Sequence, residues 1–146
     1  MSPILYNSNL ELIERIIMTS GLPYTFWSAY GVEVPDLSPN DVLHLNAQAE
    51  ITNDNGFNVM VDGAFYNGLT HGGTTFKAVG LPICGQNVTP NMHHMVVARQ
   101  AWVKGLTGSV FFSFVLVAAS DAMTATKNYI TLNNACGGIQ VAVFKS

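Results

Sequence analysis

A segment near residue 45 alternates apolar and polar side chains with a period of two. The apolar members are Leu43, Leu45, Ala47, Ala49 and Ile51, and the polar members are His44, Asn46, Gln48, Glu50 and Thr52. Successive side chains of a strand point to opposite faces, whereas the apolar side chains of an amphipathic helix recur every three or four residues. The pattern therefore predicts a strand with one buried face, and it requires a second layer to cover that face.

Further strands are predicted downstream. Asn55-Gly56 is the dipeptide most typical of a two-residue β-hairpin, so we expect a return strand with Phe57, Val59, Val61 and Phe65 on one face. Residues 68–91 read as a long loop, which contains a short strand near 75–79. The other predicted strands cover 92–104, 110–119, 129–133 and 139–144, with a turn over 105–108. Residues 41–146 are thus predicted to form a mainly β domain, an antiparallel jelly-roll sandwich.

The first 40 residues show another pattern. Ser8 and Glu11 form a capping box, and an apolar stripe follows at helical spacing. The stripe consists of Leu10, Ile13, Ile16 and Ile17. An N-terminal α-helix is therefore predicted from Asn9 to Ser20, with Gly21 ending it. Three prolines and several aromatic residues come next, which predicts an extended arm without regular structure. The expected domains are 1–40, helix and arm, and 41–146, sandwich.

Low charge is the informative feature of the composition. Only 10% of the residues are charged, against about 25% in an ordinary soluble domain. This favours an oligomer whose interfaces cover uncharged surface, and a surface rich in uncharged Asn and Thr is the alternative. The net charge of −3 and the scattered cations argue against nucleic-acid binding. No apolar run reaches the ~18 residues of a membrane span, and no signal peptide is recognised, so assembly inside the host cytoplasm is expected.

Catalytic and metal-binding patterns do not emerge from the sequence. His93 and His94 are adjacent on a predicted strand, where neighbours point to opposite faces, so they are not expected to bind one metal ion. No nucleophile motif and no carboxylate pair is recognised, and Cys84 and Cys136 read as free thiols. We expect no catalytic residue, no metal and no cofactor, and hence no enzyme. His93 or His94 could instead tune assembly with pH at an interface.

Carbohydrate binding stays open as an alternative. Many sugar sites combine an aromatic platform with amide and backbone groups, and the predicted loops contain these residue types. The candidates are Trp27, Tyr66, Asn67 and His71. The competing interpretation is that these side chains fill the junction between arm and sandwich.

The segment from His93 to Ser146 resembles the end of trimeric TNF/C1q-like jelly rolls, modules that recur in head decoration proteins, fibre tips and receptor-binding heads of tailed phages. The likeness lies in the turn Gly105-Leu106-Thr107-Gly108, the very apolar strand after it, and the final alternation of Ile139, Val141 and Val143. The resemblance implies a homotrimer in a virion. Some lectins share this architecture.

We therefore expect a non-enzymatic virion structural protein of the capsid decoration (cement) type. The strand over 110–119 is apolar on both faces, which predicts a partner subunit against it. The predicted oligomer interface comprises Trp102, Phe111, Phe112, Phe114, Val115 and Val117. The arm is expected to dock on the major capsid protein or a neighbouring virion protein. The predicted docking residues are Ile4, Leu5, Tyr6, Leu10, Ile13, Ile17, Tyr24, Phe26, Trp27 and Tyr30. The alternative is a carbohydrate-binding lectin or a phage receptor-binding tip, with a glycan as the partner.

Overall fold

β-Strands make up the regular structure of the residues that the computed structural model describes. These residues are 2–9, 15–17, 25–53, 59–67, 77–79, 86–88, 92–119, 129–133 and 137–146. The strands are β1 (Ile4–Ser8), β2 (Arg15–Ile17), β3 (Thr25–Leu37), β4 (Val42–Asn53), β5 (Val59–Asn67), β6 (Lys77–Val79), β7 (Gln86–Val88), β8 (Met92–Lys104), β9 (Gly108–Ala119), β10 (Tyr129–Leu132) and β11 (Gly138–Phe144). In these ranges no helix is long and apolar enough to cross a membrane.

The strands form two antiparallel sheets. The β4 sheet has the order β1-β11-β4-β10-β2, and β8 pairs with the other side of β4. The β9 sheet has the order β3-β9-β5-β6, and β7 also pairs with β5. The chain passes from one sheet to the other between β2 and β3, β3 and β4, β4 and β5, β7 and β8, β8 and β9, and β9 and β10. This alternation between layers is typical of a jelly roll, and the predicted antiparallel sandwich is confirmed.

The core lies between the two sheets. β4 contributes Leu43, Leu45 and Ile51, all fully buried, so the alternation read from the sequence is confirmed. β9 contributes Phe112, Phe114 and Leu116 from the opposite layer. Burying a side chain of this size stabilises the fold by about 1.5–3 kcal/mol, which makes this interior the main source of stability.

The predicted N-terminal helix is wrong. Arg15–Ile17 is strand β2, paired with Tyr129–Thr131 of β10, while the rest of the predicted helix beyond Asn9 lies outside the described residues. The β-branched pair Ile16 and Ile17 suits a strand better than a helix, and pairing with β10 decides between two local patterns.

The predicted irregular arm is also wrong in its described part. Thr25–Leu37 is the 13-residue strand β3, paired with β9. Pro35 is accommodated because β3 pairs only with β9 among the described strands and its register shifts between Val34 and Leu37, where Asp36 has φ +57°. Strands from the first 40 residues are thus hydrogen-bonded to later strands in both sheets.

The predicted hairpin between β4 and β5 does not form, since the two strands belong to different sheets. β8 pairs with β4 along one side, and β11 and β10 share the other side. β8 and β9 also lie in different sheets, joined by the turn after Lys104. Gly105 and Gly108 have φ values of +89° and +73° in that turn, a conformation that glycine adopts without strain.

Candidate functional site

The register of four strands aligns side chains on the outer face of the β4 sheet, the face turned away from the core. One row crosses β8, β4, β11 and β1. It consists of Trp102, His44, Ala142 and Leu5. Their core-facing neighbours Ala101, Leu45 and Val141 are buried, which places this row on the opposite side of the sheet.

Trp102 is the most exposed large hydrophobic residue in the described part of the chain, at 64%. Its ring centroid lies 4.5 Å from that of His44 and 6.0 Å from that of Phe144. His44 Nε2 lies 3.0 Å from Gln100 Oε1, a hydrogen-bonded contact that orients the imidazole. We call His44, Trp102 and Phe144 the aromatic corner. It presents an apolar ring to solvent at the β8 margin of the sheet.

The next row on the same face is made of carboxamides. Cross-strand register brings Gln100, Asn46, Gln140 and Asn7 into line across four strands. All four are exposed. In the row beyond, Gln48 of β4 pairs with Gly138 of β11.

A shallow concavity of about 460 Å³ opens on this part of the face. We call it the carboxamide concavity. Its lining residues are Asn7, Ser8, Asn9, Asn46, Ala47, Gln48, Gly137, Gly138, Ile139 and Gln140.

Two glycines shape the carboxamide concavity. Gly138 lies in the same outward phase of β11 as Gln140, and the chain at the end of β1 approaches it so closely that a Cβ there would lie 2.9 Å from the Ser8 carbonyl oxygen. A Cβ at Gly137 would lie 2.5 Å from both the Gln48 carbonyl oxygen and the Tyr30 hydroxyl oxygen. A larger residue at either position requires the strands to shift, so the glycines allow this close approach.

Buried carboxylates lie elsewhere and are held by cations. Asp41 is fully buried, and its carboxylate accepts hydrogen bonds from Lys145 Nζ at 2.7 Å, the Ser38 amide at 2.8 Å and the Ser146 amide at 3.0 Å. The hydrogen bond from Lys145, followed by those from the two backbone amides, holds the pKa of Asp41 well below its usual range. This cluster fixes the segment Lys145–Ser146 against the turn before β4.

Asp62 of β5 forms a second such contact, an ion pair with Arg99 of β8. Asp62 is buried and also accepts a hydrogen bond from the Gly63 amide at 2.7 Å. The pair therefore links the two sheets. In the described ranges, no group of three His, Cys, Asp or Glu side chains is placed to hold a metal ion.

The residues of the predicted oligomer interface do not share one surface. Phe112, Phe114 and Val115 are fully buried within the single chain, and Phe111 is half-buried. β9 lies between β3 and β5, so a central position in its own sheet accounts for their burial without a partner. Val117 lies on β9, but its side chain is outside the described part. Among the members of the set whose side chains are described, only Trp102 is exposed, and it lies on the other sheet.

The predicted docking residues are dispersed as well. Ile4 and Leu5 are exposed on β1, at 46% and 53%, whereas Tyr6 packs against the core and Tyr30 is fully buried. Ile17 lies in β2, and Phe26 and Trp27 lie in β3, but only the backbone of these three residues is described. Leu10, Ile13 and Tyr24 lie outside the described residues. Of this set, Ile4 and Leu5 are the side chains that the structure places at the surface.

The predicted sugar-binding residues are only partly described. Tyr66 and Asn67 end β5 and are half-buried, and burial raises the pKa of Tyr66. Trp27 lies on β3, with its side chain outside the described part, and His71 lies outside it altogether.

His93 and His94 lie on β8, where the register shifts between the pairs Thr52–His93 and Ile51–Met95. A bulge interrupts strict alternation there, so adjacent side chains at this position are not required to point to opposite faces. The absence of a metal there stays a prediction.

The carboxamides of the outer face were not singled out by sequence reasoning. Their signal is present, since Asn46, Gln48, Gln100 and Gln140 all occupy the non-core phase of their strands. Recognising a shared surface requires the pairing of Asn46 with Gln100 and with Gln140, residues far apart in the chain, which periodicity does not supply.

Comparisons with known proteins identify a fold. No protein-family model matches the chain, and no curated protein matches it in sequence. A chain in the structure of infectious bursal disease virus, Gx strain, matches with a TM-score of 0.61 and 10% identity, over 97% of this chain and 32% of that chain. At this identity the likeness shows a shared fold alone.

Two structures of carbohydrate-active proteins match more weakly. One is the GH26-CBM35 β-(1,4)-mannanase of Podospora anserina, with a TM-score of 0.34 and 9% identity over 99% of this chain and 28% of that chain. The other is the exo-β-1,3-galactanase of Phanerochaete chrysosporium, with a TM-score of 0.25 and 13% identity over 99% of this chain and 30% of that chain. These scores carry no argument about fold or function. The chain spans about a third of the length of the structures it matches.

Proposed function

We propose that this chain is a non-enzymatic structural protein of a virion, of the capsid decoration type, that associates with further copies of itself as a homotrimer. The observation that carries the proposal is the aromatic corner. An indole that is 64% exposed on a rigid sheet is the kind of side chain that protein interfaces bury at their centre.

The surroundings of Trp102 favour a second copy of this chain as its partner. Along the outward phase of β8, Val96, Ala98 and Gln100 precede Trp102 and are exposed and uncharged. β8 is paired only with β4 among the described strands, so its other side is an edge that another strand or sheet can cover. Such an uncharged surface carries no like-charge repulsion when two copies meet.

The fold supports placing the protein in a virion. A chain from the structure of a virus has the same fold across nearly all of this domain. Ile4 and Leu5 lie on β1, on the opposite margin of the β4 sheet from β8. We propose that they dock on the major capsid protein or a neighbouring virion protein, while the aromatic corner joins copies of the chain.

Self-association is tested by light scattering coupled to size exclusion at micromolar concentration. The wild type is expected to run as a trimer. Trp102→Ala is expected to weaken association by about 30-fold, because an interface hot spot contributes about 2 kcal/mol or more. Thr107→Ala, in the exposed turn before β9, is the matched control and should leave the trimer unchanged. A wild-type chain that stays monomeric refutes this part of the proposal.

Docking is tested with point variants, because deleting residues 1–34 would remove β1, β2 and most of β3 from the sandwich. Purified particles of the source virus are mixed with wild type, Leu5→Ser or Thr107→Ala and sedimented. Wild type and Thr107→Ala should cosediment with the particles, and Leu5→Ser should remain in the supernatant. Equal cosedimentation of all three proteins would remove β1 from the mechanism, and none by the wild type would contradict the virion assignment.

A further inference from the structure

We propose that the carboxamide concavity binds a neutral, hydroxyl-rich carbohydrate. This inference does not rest on the virion assignment, and it uses the β1–β11 margin of the β4 sheet rather than the aromatic corner.

The chemistry of the lining argues for hydroxyl groups. Five carboxamide side chains line the concavity. They are Asn7, Asn9, Asn46, Gln48 and Gln140. Each carboxamide offers two donor hydrogens and an acceptor oxygen, and a sugar hydroxyl both donates and accepts, so neighbouring amides can satisfy neighbouring hydroxyls. All five are exposed, so a ligand can reach them from solvent.

The charge of the lining selects among hydroxyl-rich ligands. None of the ten lining residues carries a charged side chain. A phosphate, sulfate or carboxylate in this place would lose hydration and gain no cation, which costs free energy. Neutral saccharides are therefore favoured over anionic ones.

The size and rigidity of the concavity fit a small ligand. Its volume of about 460 Å³ falls within the range of about 300–1,000 Å³ that is common for small-molecule sites. Its polar side chains project from β1, β4 and β11, which are paired over their shared length, or directly follow β1. Because paired strands hold these side chains, little backbone ordering cost opposes binding.

The first experiment is an array of neutral oligosaccharides built from hexoses and N-acetylhexosamines, with sialylated and sulfated glycans as a second arm. Saturable binding to neutral members is expected, and each positive sugar is then titrated by calorimetry. No saturable binding to any neutral glycan overturns the proposal, as does binding confined to the anionic arm.

Variants then place the site. Gln140→Ala and Asn46→Ala remove exposed amides, so folding is expected to survive, and each should weaken binding about fivefold or more, as expected when one hydrogen bond to the ligand is lost. Ser109→Ala, exposed on β9, is the control. Unchanged affinity in both amide variants would refute the location.

Trp102→Ala separates this proposal from the previous one. It is expected to lose self-association and to keep sugar binding, because the indole does not line the concavity. A trimer that binds no neutral glycan leaves the structural role intact and refutes the site. A monomer that binds a neutral glycan supports the site and refutes self-association. Loss of sugar binding in Trp102→Ala would refute the proposal that the carboxamide concavity binds sugar independently of the aromatic corner.

Discussion

Replacing Gly63 by Ala tests the closest packing between the two central strands of the β9 sheet. A Cβ at residue 63 would lie 2.5 Å from Phe114 Cε1 and still closer to Cζ. Phe114 is fully buried, and its ring centroid lies 5.5 Å from that of Phe65. Because the interior is close-packed, the ring cannot withdraw without displacing its neighbours, and Gly63→Ala should destabilise the protein.

The magnitude follows from two opposing effects. Forcing a methyl group into a filled core costs about 1–3 kcal/mol. The lower entropy of Ala in the unfolded chain offsets about 0.4–1 kcal/mol of this. The central values, about 2 and about 0.7 kcal/mol, leave a net loss of about 1.3 kcal/mol for Gly63→Ala, which lowers Tm by about 3–5 °C for a domain of this size. Phe114→Leu also destabilises, by less than the about 3–5 kcal/mol of a Phe→Ala change.

The double variant Gly63→Ala/Phe114→Leu tests whether the two residues are in contact. With Leu at position 114, the methyl group at position 63 enters space that the ring has left, so Gly63→Ala should then cost nothing or stabilise by up to about 0.8 kcal/mol. Urea unfolding of wild type, both single variants and the double variant measures the coupling, which we expect to be about 1–3 kcal/mol. Additive effects, within about 0.5 kcal/mol and with unchanged m-values, would show that the two residues are not in contact.

Further predictions concern the ion pairs and a turn. Asp41 has a depressed pKa in the folded state, so its stabilisation is complete above the unfolded pKa near 4 and is lost as pH falls below it. Urea unfolding between about pH 2 and pH 6 should show this loss of stability in wild type and not in Asp41→Asn. If the free energy of unfolding depended on pH in the same way in both proteins, the depressed pKa of Asp41 would be contradicted. Arg99→Met leaves Asp62 buried without its cation and should lower the free energy of unfolding by about 3 kcal/mol. The double variant Arg99→Met/Asp62→Asn should regain most of this stability, and no recovery would argue against the ion pair. Gly105→Ala meets no atom within 4 Å, so its cost of about 1–2 kcal/mol comes from φ alone, and calorimetry showing an unchanged Tm would refute it.

Most strands with a clean two-residue period could be predicted from the sequence. β4, β8 and β9 lie within two residues of their expected bounds, since one face of each strand contributes to the core and the pattern records that burial directly. The chemistry of the turn at Gly105 and Gly108 was equally legible, because positive φ values select glycine locally.

Partner choice could not be predicted, because it is decided at long range. The helical stripe that includes Ile16 and Ile17 is compatible with two local structures, and β10, more than 100 residues later, selects the strand. Asn55-Gly56 favours a tight turn but does not determine which strand occupies the flank of β4. β8 and β11 occupy both flanks, so β5 joins the other sheet. Local propensity yields to tertiary pairing in both cases.

The same limit applies to the candidate site. Each carboxamide of the outer face is unremarkable by itself, since a polar residue in the solvent phase of a strand is what any half-buried sheet requires. Asn46, Gln140 and Asn7 become a surface only when β4, β11 and β1 are placed side by side. The exposed Trp102 likewise follows the regular alternation of β8, and the sequence grouped it with β9 residues that the fold places in the core.

The low charge of the chain takes on another meaning once these positions are known. A chain with 10% charged residues suggests an oligomer if polarity is equated with charge. On the outer face of the β4 sheet, polarity is supplied by carboxamides such as Asn46 and Gln140, which are well hydrated without any charge. Composition therefore does not require self-association. The case for it rests on Trp102, because exposing its apolar ring to water is unfavourable. A monomeric wild-type chain that binds neutral sugar would thus be consistent with every feature of the composition, and it would leave the exposed indole as the feature still to be explained.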